Sequence, residues 1–236
     1  MTSSYKDVSE WYDRQYRESG DDSRRSAHSY QQILDQLPVA ENVLDVGCGR
    51  GEFLSFLSQK GYKKLAGVDL SKEAIEHLAK KLPDCRAEVA KGEELPFEKE
   101  SFDLLTCLGS LEHFLDIPKG LSEMFRVLKE GGKAVIMVPN ADFIAWNFTS
   151  EHSTGTAQRE ISETLYSVKK WRQLIEGSGL VVTNVVADKG FIYNKHDLRK
   201  KGPKYYLKRL LFVFMPILPK AWTYQVIFTA VKIKPS

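Results

Sequence analysis

An apolar run that ends abruptly on three glycines constrains this chain more than any other feature. Val43-Leu44-Asp45-Val46 reads as a short buried strand, and Gly47-Cys48-Gly49-Arg50-Gly51 follows at once. Glycine at every second position permits positive φ and lets a ligand touch the backbone. A helix beginning near Glu52, with Phe53, Leu54 and Leu57 on one side, points its unpaired N–H groups at any anionic group held in the turn. Taken alone, the glycines could serve only a tight strand–helix turn. Asp69 shifts that balance. It closes the next apolar run, Gly67-Val68-Asp69-Leu70, 22 positions after Gly47. An acid at the tip of the adjacent strand can accept hydrogen bonds from both hydroxyls of a ribose. Glycine loop and acid together fit an adenosine-type cofactor. The G-x-G-x-G spacing, rather than G-x-G-x-x-G, argues against a nicotinamide dinucleotide.

Strands and helices alternate from residue 42 onward. Strand-like runs fall at 42–46, 65–70, 85–90, 102–108, 133–138, 180–187 and 224–232. Between them, Ala74, Ile75, Leu78, Ala79 and Leu82 form a helical stripe capped by Ser71 and stopped by Pro83. Leu121, Met124, Phe125 and Leu128 form another, with Pro118 in its first turn and Gly131-Gly132 at its expected end. Ser167 caps a third, carrying Val168, Trp171, Leu174 and Ile175. Such alternation predicts an α/β three-layer sandwich with a seven-stranded, mostly parallel sheet. No clear crossover helix joins the last two strands, so the final strand is expected to run antiparallel, beside the sixth. Ligands on such sheets bind at the carboxyl ends of the strands.

Four segments carry a family resemblance: VLDVGCGRG at 43–51, GVDLS at 67–71, EELPFEKESFDLLTCLGSLEHF at 93–114 and EMFRVLKEGGKAVIMVPN at 123–140. Over about residues 40–190 the chain resembles the class I S-adenosylmethionine-dependent methyltransferases, of the small-molecule, type 11 kind. The last strand extends the likeness to the end of the chain. The resemblance implies a Rossmann-like fold and S-adenosyl-L-methionine as cofactor. It implies that Gly47, Gly49 and Gly51 wrap the methionine part, that Asp45 sits near its ammonium or orders the loop, and that Asp69 takes the ribose diol. Leu70, Glu94 and Leu95 would then flank the adenine, with Ser110 near the sulfonium. Relatives often carry an Asp after the third strand. Here Ala90-Lys91-Gly92 stands in that place, leaving backbone groups or Glu93 for the adenine amino group.

Acceptor chemistry is less sharply written. His113, in the Leu108–His113 segment after the fourth strand, could act as general base on an acceptor hydroxyl. It could equally be a structural histidine that orders the loop. His152, in a polar loop after the fifth strand, is a second candidate. Trp11, Tyr12 and Tyr16 share one helical face, and residues 1–40 are expected to form a helical lid over a 41–236 catalytic domain. Tyr12 and Tyr16 would then contact the cofactor, and a lid would exclude water.

The charge distribution adds one further element. Net charge is +3, yet from Lys195 to the end there are ten Lys/Arg against one acid, Asp197. The body is acidic, and the basic bias belongs to an insertion at about 195–222. Its bases and the apolar run Leu210–Leu218 suit a packed appendage. They also suit a membrane surface or lipid-linked acceptor through residues 199–218, or, less readily, nucleic acid. The run is too short to span a bilayer. Three widely spaced cysteines, Cys48, Cys85 and Cys107, suggest neither a disulfide framework nor a metal site. The N-terminus lacks the apolar core of a signal peptide, so a cytoplasmic location, peripheral to a membrane at most, is expected. The expected activity is methyl transfer, at oxygen, to a small or lipid-linked acceptor. The rivals are a non-catalytic cofactor-binding or adaptor protein on the same fold and an RNA methyltransferase.

Overall fold

Seven strands pair into one sheet. The computed structural model describes residues 4–18, 27–143, 163–188 and 223–233. Strands β1 (Asn42–Val46), β2 (Lys64–Asp69), β3 (Arg86–Val89), β4 (Phe102–Leu108), β5 (Leu128–Pro139), β6 (Leu180–Ala187) and β7 (Gln225–Lys232) lie in the order 3-2-1-4-5-7-6. The pairs from β3 through β5 are parallel. β7 runs antiparallel to both of its neighbours, β5 and β6. It therefore inserts between them, where the sequence had placed it only beside β6. The fold is the Rossmann-like three-layer sandwich.

Side chains alternate across the strands, so the two faces build two cores. Leu44 and Val46 of β1 point to one face, which is covered by α5 (Ile117–Val127) and α6 (Val168–Gly177) through Leu121, Met124, Trp171 and Ile175. Val43 points to the other, where Phe53, Leu54 and Leu57 of α3 (Glu52–Gln59) and Ile75 and Leu78 of α4 (Lys72–Lys81) pack. Ile33 of α2 (Ala27–Leu34) is fully buried in this second core, and Gln32 Nε2 donates to the Ala187 carbonyl at 2.6 Å. Within residues 1–40, α2 thus packs on the sheet, while α1 (Tyr5–Glu18) lies over the carboxyl ends of the strands.

Helix ends follow side-chain chemistry. Ser71 Oγ accepts from Ala74 N, and Ser167 Oγ accepts from Lys170 N, both at 3.2 Å. Replacing Ser167 by alanine removes an acceptor for a helix-end amide and is expected to cost about 1 kcal/mol. A urea midpoint unchanged in that variant would count against the cap. Gly131 and Gly132 do not end α5, contrary to their expected role. The helix stops at Val127 because Leu128 already has extended backbone and pairs with Phe102. The glycines instead fall in the register shift between that pair and Leu104–Lys133, with Gly131 at φ +74°.

Candidate active site

Sheet order reverses at β1, which has β2 on one side and β4 on the other. Chains leaving adjacent strands at such a point diverge and open a crevice. Here a cavity of about 390 Å³ opens at that point. Its floor is the glycine loop. Gly47, Gly49 and Gly51 all have positive φ, at +70°, +53° and +75°. A Cβ on Gly47 would come within 2.3 Å of Ser110 Oγ, and one on Gly49 within 2.8 Å of the Tyr16 hydroxyl. Gly47 and Gly49 therefore have no room for side chains, and their backbone faces the cavity. Gly51, by contrast, is not among the residues facing it, and a Cβ there would lie 2.3 Å from Leu78 Cδ1. Ser110 Oγ, arriving from the far side of β4, donates to the Gly47 carbonyl at 3.1 Å.

Asp69 is almost wholly buried yet lines the cavity. Its Oδ2 accepts from Gly49 N at 2.8 Å and its Oδ1 from Ser71 N at 2.9 Å. Burial raises the pKa of this carboxyl, and those two amides oppose the rise by favouring the anion. Each oxygen keeps further acceptor capacity. The carboxylate is thus locked in orientation while still able to accept two more donors.

Asp45 lies one layer deeper and is not among the residues facing the cavity. It accepts from Thr106 Oγ1 at 2.6 Å, which braces β1 against β4 just below the glycine turn. Burial pushes its carboxyl up to about 7, with Asp69 and Glu52 adding to the rise and the Thr106 hydrogen bond opposing it. The folded chain holds this proton more tightly than the unfolded chain. Its contribution to stability is therefore full below the ordinary carboxylate value of 3.8 and is lost as pH climbs to about 7. Asp45→Asn keeps an acceptor for Thr106 and has no charge to bury. Relative to the parent it should gain up to ~1.4 kcal/mol per pH unit across that window. Urea unfolding at about pH 5 and about pH 8 reads this directly. A stability difference independent of pH would count against the shift.

α1 forms the roof. Tyr12 and Tyr16 face the cavity, their rings stacked at 6.2 Å, and Tyr12 meets the His113 ring edge-on at 6.1 Å. The Arg50 guanidinium donates to the Tyr16 carbonyl, and Ser9 Oγ donates to the Leu70 carbonyl at 3.1 Å. Leu70 packs with Val8 and Trp11. Lys91 lies over the Tyr5 ring at 4.4 Å. These contacts carry the helix across the whole mouth from β3 to β4.

His113 ends a 3₁₀ turn, Leu111–His113, and lines the cavity beside the buried Glu112. The structure does not bring Glu94 or Leu95 there. Glu94 points to solvent 3.7 Å from Lys91, and Leu95 is buried in the core with its N–H on Glu123. Ala90, Lys91, Gly92 and Glu93 occupy that wall instead. Glu93 Oε1 accepts from Leu115 N at 2.8 Å and Asp116 N at 3.2 Å, tying the wall to the start of α5. His152 and the insertion at 195–222 lie outside the described residues.

Several lining residues had no marker in the sequence. Gly109 follows β4 at φ +73°, its N–H bonded to Met137 O, and its glycine identity was the only local sign. Glu163, Tyr224 and Gln225 complete the wall opposite Asp69. Burial raises the Tyr224 hydroxyl pKa, helped by Glu163 and Glu112.

A mostly parallel sheet whose glycine turn and buried strand-tip acid face one crevice defines a cofactor-binding Rossmann-like protein. A family model described as a methyltransferase domain matches residues 12–185. The chain belongs to that family, the class I S-adenosylmethionine-dependent methyltransferases. Among curated relatives, the ubiquinone/menaquinone biosynthesis C-methyltransferase UbiE of Geobacter sp. (strain M21) is 42% identical over 106 residues, covering 42% of this chain and 45% of the relative. The chain thus spans less than half the length of that relative. Among solved structures, a methyltransferase in complex with the Haloferax volcanii Trm112 methyltransferase activator superposes with a TM-score of 0.72 at 20% identity, over 97% of this chain and 99% of that one. Geranyl diphosphate C-methyltransferase from Streptomyces coelicolor A3(2), solved with Mg2+, geranyl diphosphate and S-adenosyl-L-homocysteine, gives 0.72 at 14% identity over 97% of each chain. At these identities the two structures speak for the fold.

Proposed function

We propose that this chain transfers a methyl group from S-adenosyl-L-methionine to a small-molecule or lipid-linked acceptor. One observation carries the reading: a single covered cavity joins the cavity-facing backbone of Gly47 and Gly49, the locked Asp69 carboxylate and His113. The cofactor fits the groups present. The loop at Gly47 and Gly49 takes the methionine part, with Ser110 beside it. Asp69 takes the two ribose hydroxyls, Leu70 and the 90–93 wall flank the adenine, and Tyr12 and Tyr16 cover the whole. Asp45 holds the loop from below. When bound, the cofactor supplies a methyl on a sulfonium centre, open to in-line displacement by an acceptor atom. The chain's task is then positioning and water exclusion, which α1 supports. His113 takes the proton of an acceptor hydroxyl as that oxygen reacts.

Oxygen is the acceptor atom in this reading. A second reading, transfer to carbon, has support in the relative named a C-methyltransferase. Both accommodate a lipid-linked acceptor. The insertion at 195–222 is proposed to cover it, at a membrane surface through residues 199–218. No helix among the described residues is long and apolar enough to cross a membrane. We place the protein in the cytoplasm, with residues 1–40 as an N-terminal unit whose α1 closes the site.

The test is label transfer. The purified chain is incubated with methyl-labelled S-adenosylmethionine and cell extract, then lipid, small-molecule, protein and nucleic-acid fractions are separated. Label in the lipid or small-molecule fraction supports the proposal. Label in RNA alone would replace it with a nucleic-acid reading. Cofactor binding with no transfer would make the chain a binding or adaptor protein.

A further inference from the structure

Asp13 lies on α1, one turn from Ser9 and outside the cavity, and no part of the reading above uses it. Its Oδ1 accepts from the Ser71 hydroxyl and from Glu73 N at 3.2 Å. The Ser71 hydroxyl oxygen in turn accepts from Ala74 N, and Ser71 N donates to Asp69 Oδ1. Ser71 is fully buried. Its single hydroxyl proton can serve only one acceptor, and Asp13 is that acceptor. Asp13 also sits against the first turn of α4, where the helix dipole favours a negative charge. Together with the bond from Ser9 to the Leu70 carbonyl, α1 grips residues 70–73 directly after Asp69.

We infer that Asp13 is a positioning residue: docking of the roof helix through Asp13 and Ser71 fixes the Asp69 carboxylate, so closure of α1 and affinity for the cofactor's ribose are coupled. The inference rests on the reading of Asp69 as the ribose acceptor. A purely structural Asp13 would hold α1 on α4 with no bearing on Asp69. The connection differs from a general packing effect because it runs through a chain of hydrogen bonds, Asp13 to Ser71 to Asp69 to Gly49, while the Asp13 charge itself opposes the Asp69 anion.

The experiment is a calorimetric titration of the full chain with S-adenosylhomocysteine. It compares the parent with Asp13→Ala, Asp13→Asn, Asp69→Asn and the Asp13→Ala/Asp69→Asn double variant. Losing the hydrogen-bond acceptor in Asp13→Ala should weaken binding roughly tenfold. Asp13→Asn keeps an oxygen for both donors and should recover affinity to within about threefold of the parent. The double variant should lose less than the product of the two single losses, since one effect acts through the other. Parent-like affinity in Asp13→Ala overturns the inference, as do losses that simply multiply. Parent-like affinity in Asp69→Asn, by contrast, defeats the ribose reading itself. If Asp13→Ala fails to fold, the Asn variant carries the test: a loss as large as that of Asp69→Asn would overturn the inference.

Discussion

Asp69→Ala is expected to weaken S-adenosylhomocysteine binding by roughly two to four orders of magnitude, because each hydrogen bond to a charged acceptor is worth about 1.5–3 kcal/mol. Two ribose hydroxyls are at stake, and the site offers no other buried carboxylate at the tip of β2. The variant also strips the acceptor from Gly49 N and Ser71 N, so the glycine loop loses its brace at the same time. Calorimetry measures the affinity, and circular dichroism of the free variant separates lost binding from lost folding. A folded variant that binds as tightly as the parent removes Asp69 from the cofactor site. The chain would then need another ribose acceptor on the same wall.

The second large effect concerns chemistry rather than binding. His113→Ala should lower the initial rate of label transfer at saturating cofactor by roughly 10²- to 10⁴-fold, the usual range for a positioned base. Affinity for S-adenosylhomocysteine should change little, because the glycine loop is held by Asp69 and Ser110. This split between rate and affinity distinguishes a base from a wall residue. Loss of affinity without loss of rate would recast His113 as a ring that packs against Tyr12. Unchanged rate and affinity together would point to transfer that needs positioning alone, as the carbon reading allows when the acceptor is already nucleophilic.

Much of the site could be read before any fold was known. The turn from β1 through Gly51 is local in sequence, and its glycines are demanded by φ values within five residues. Asp69 sits at a spacing imposed by one helix and one strand, so its place beside the loop follows from the alternation itself. Caps at Ser71 and Ser167 were legible for the same reason, since donor and acceptor lie three residues apart. Glu94 and Leu95 were not. The chain between β3 and β4 has no regular element to set its phase, and a shift of a single residue exchanges cavity for solvent. What decides its course is Arg126, whose guanidinium bonds Leu95 O and Phe97 O from α5. Gly131-Gly132 misled because a glycine pair after a helical stripe looks the same whether it ends a helix or fills a register shift.

The sequence by itself determined the sheet-and-helix alternation, the glycine turn, the acid facing it and so the class of cofactor. Each depends on hydrogen bonds and side-chain periods spanning a few residues to one strand–helix unit. Only the tertiary structure decided that β7 threads between β5 and β6, which carries Tyr224 and Gln225 to the cavity wall. It alone docked α1 across the mouth through Ser9, Asp13 and the Tyr12–His113 contact. Those contacts join residues some 60 to 100 positions apart. Pairings at such separation are selected by how the whole core packs, because the cost of closing a long loop varies slowly with length and favours no particular partner.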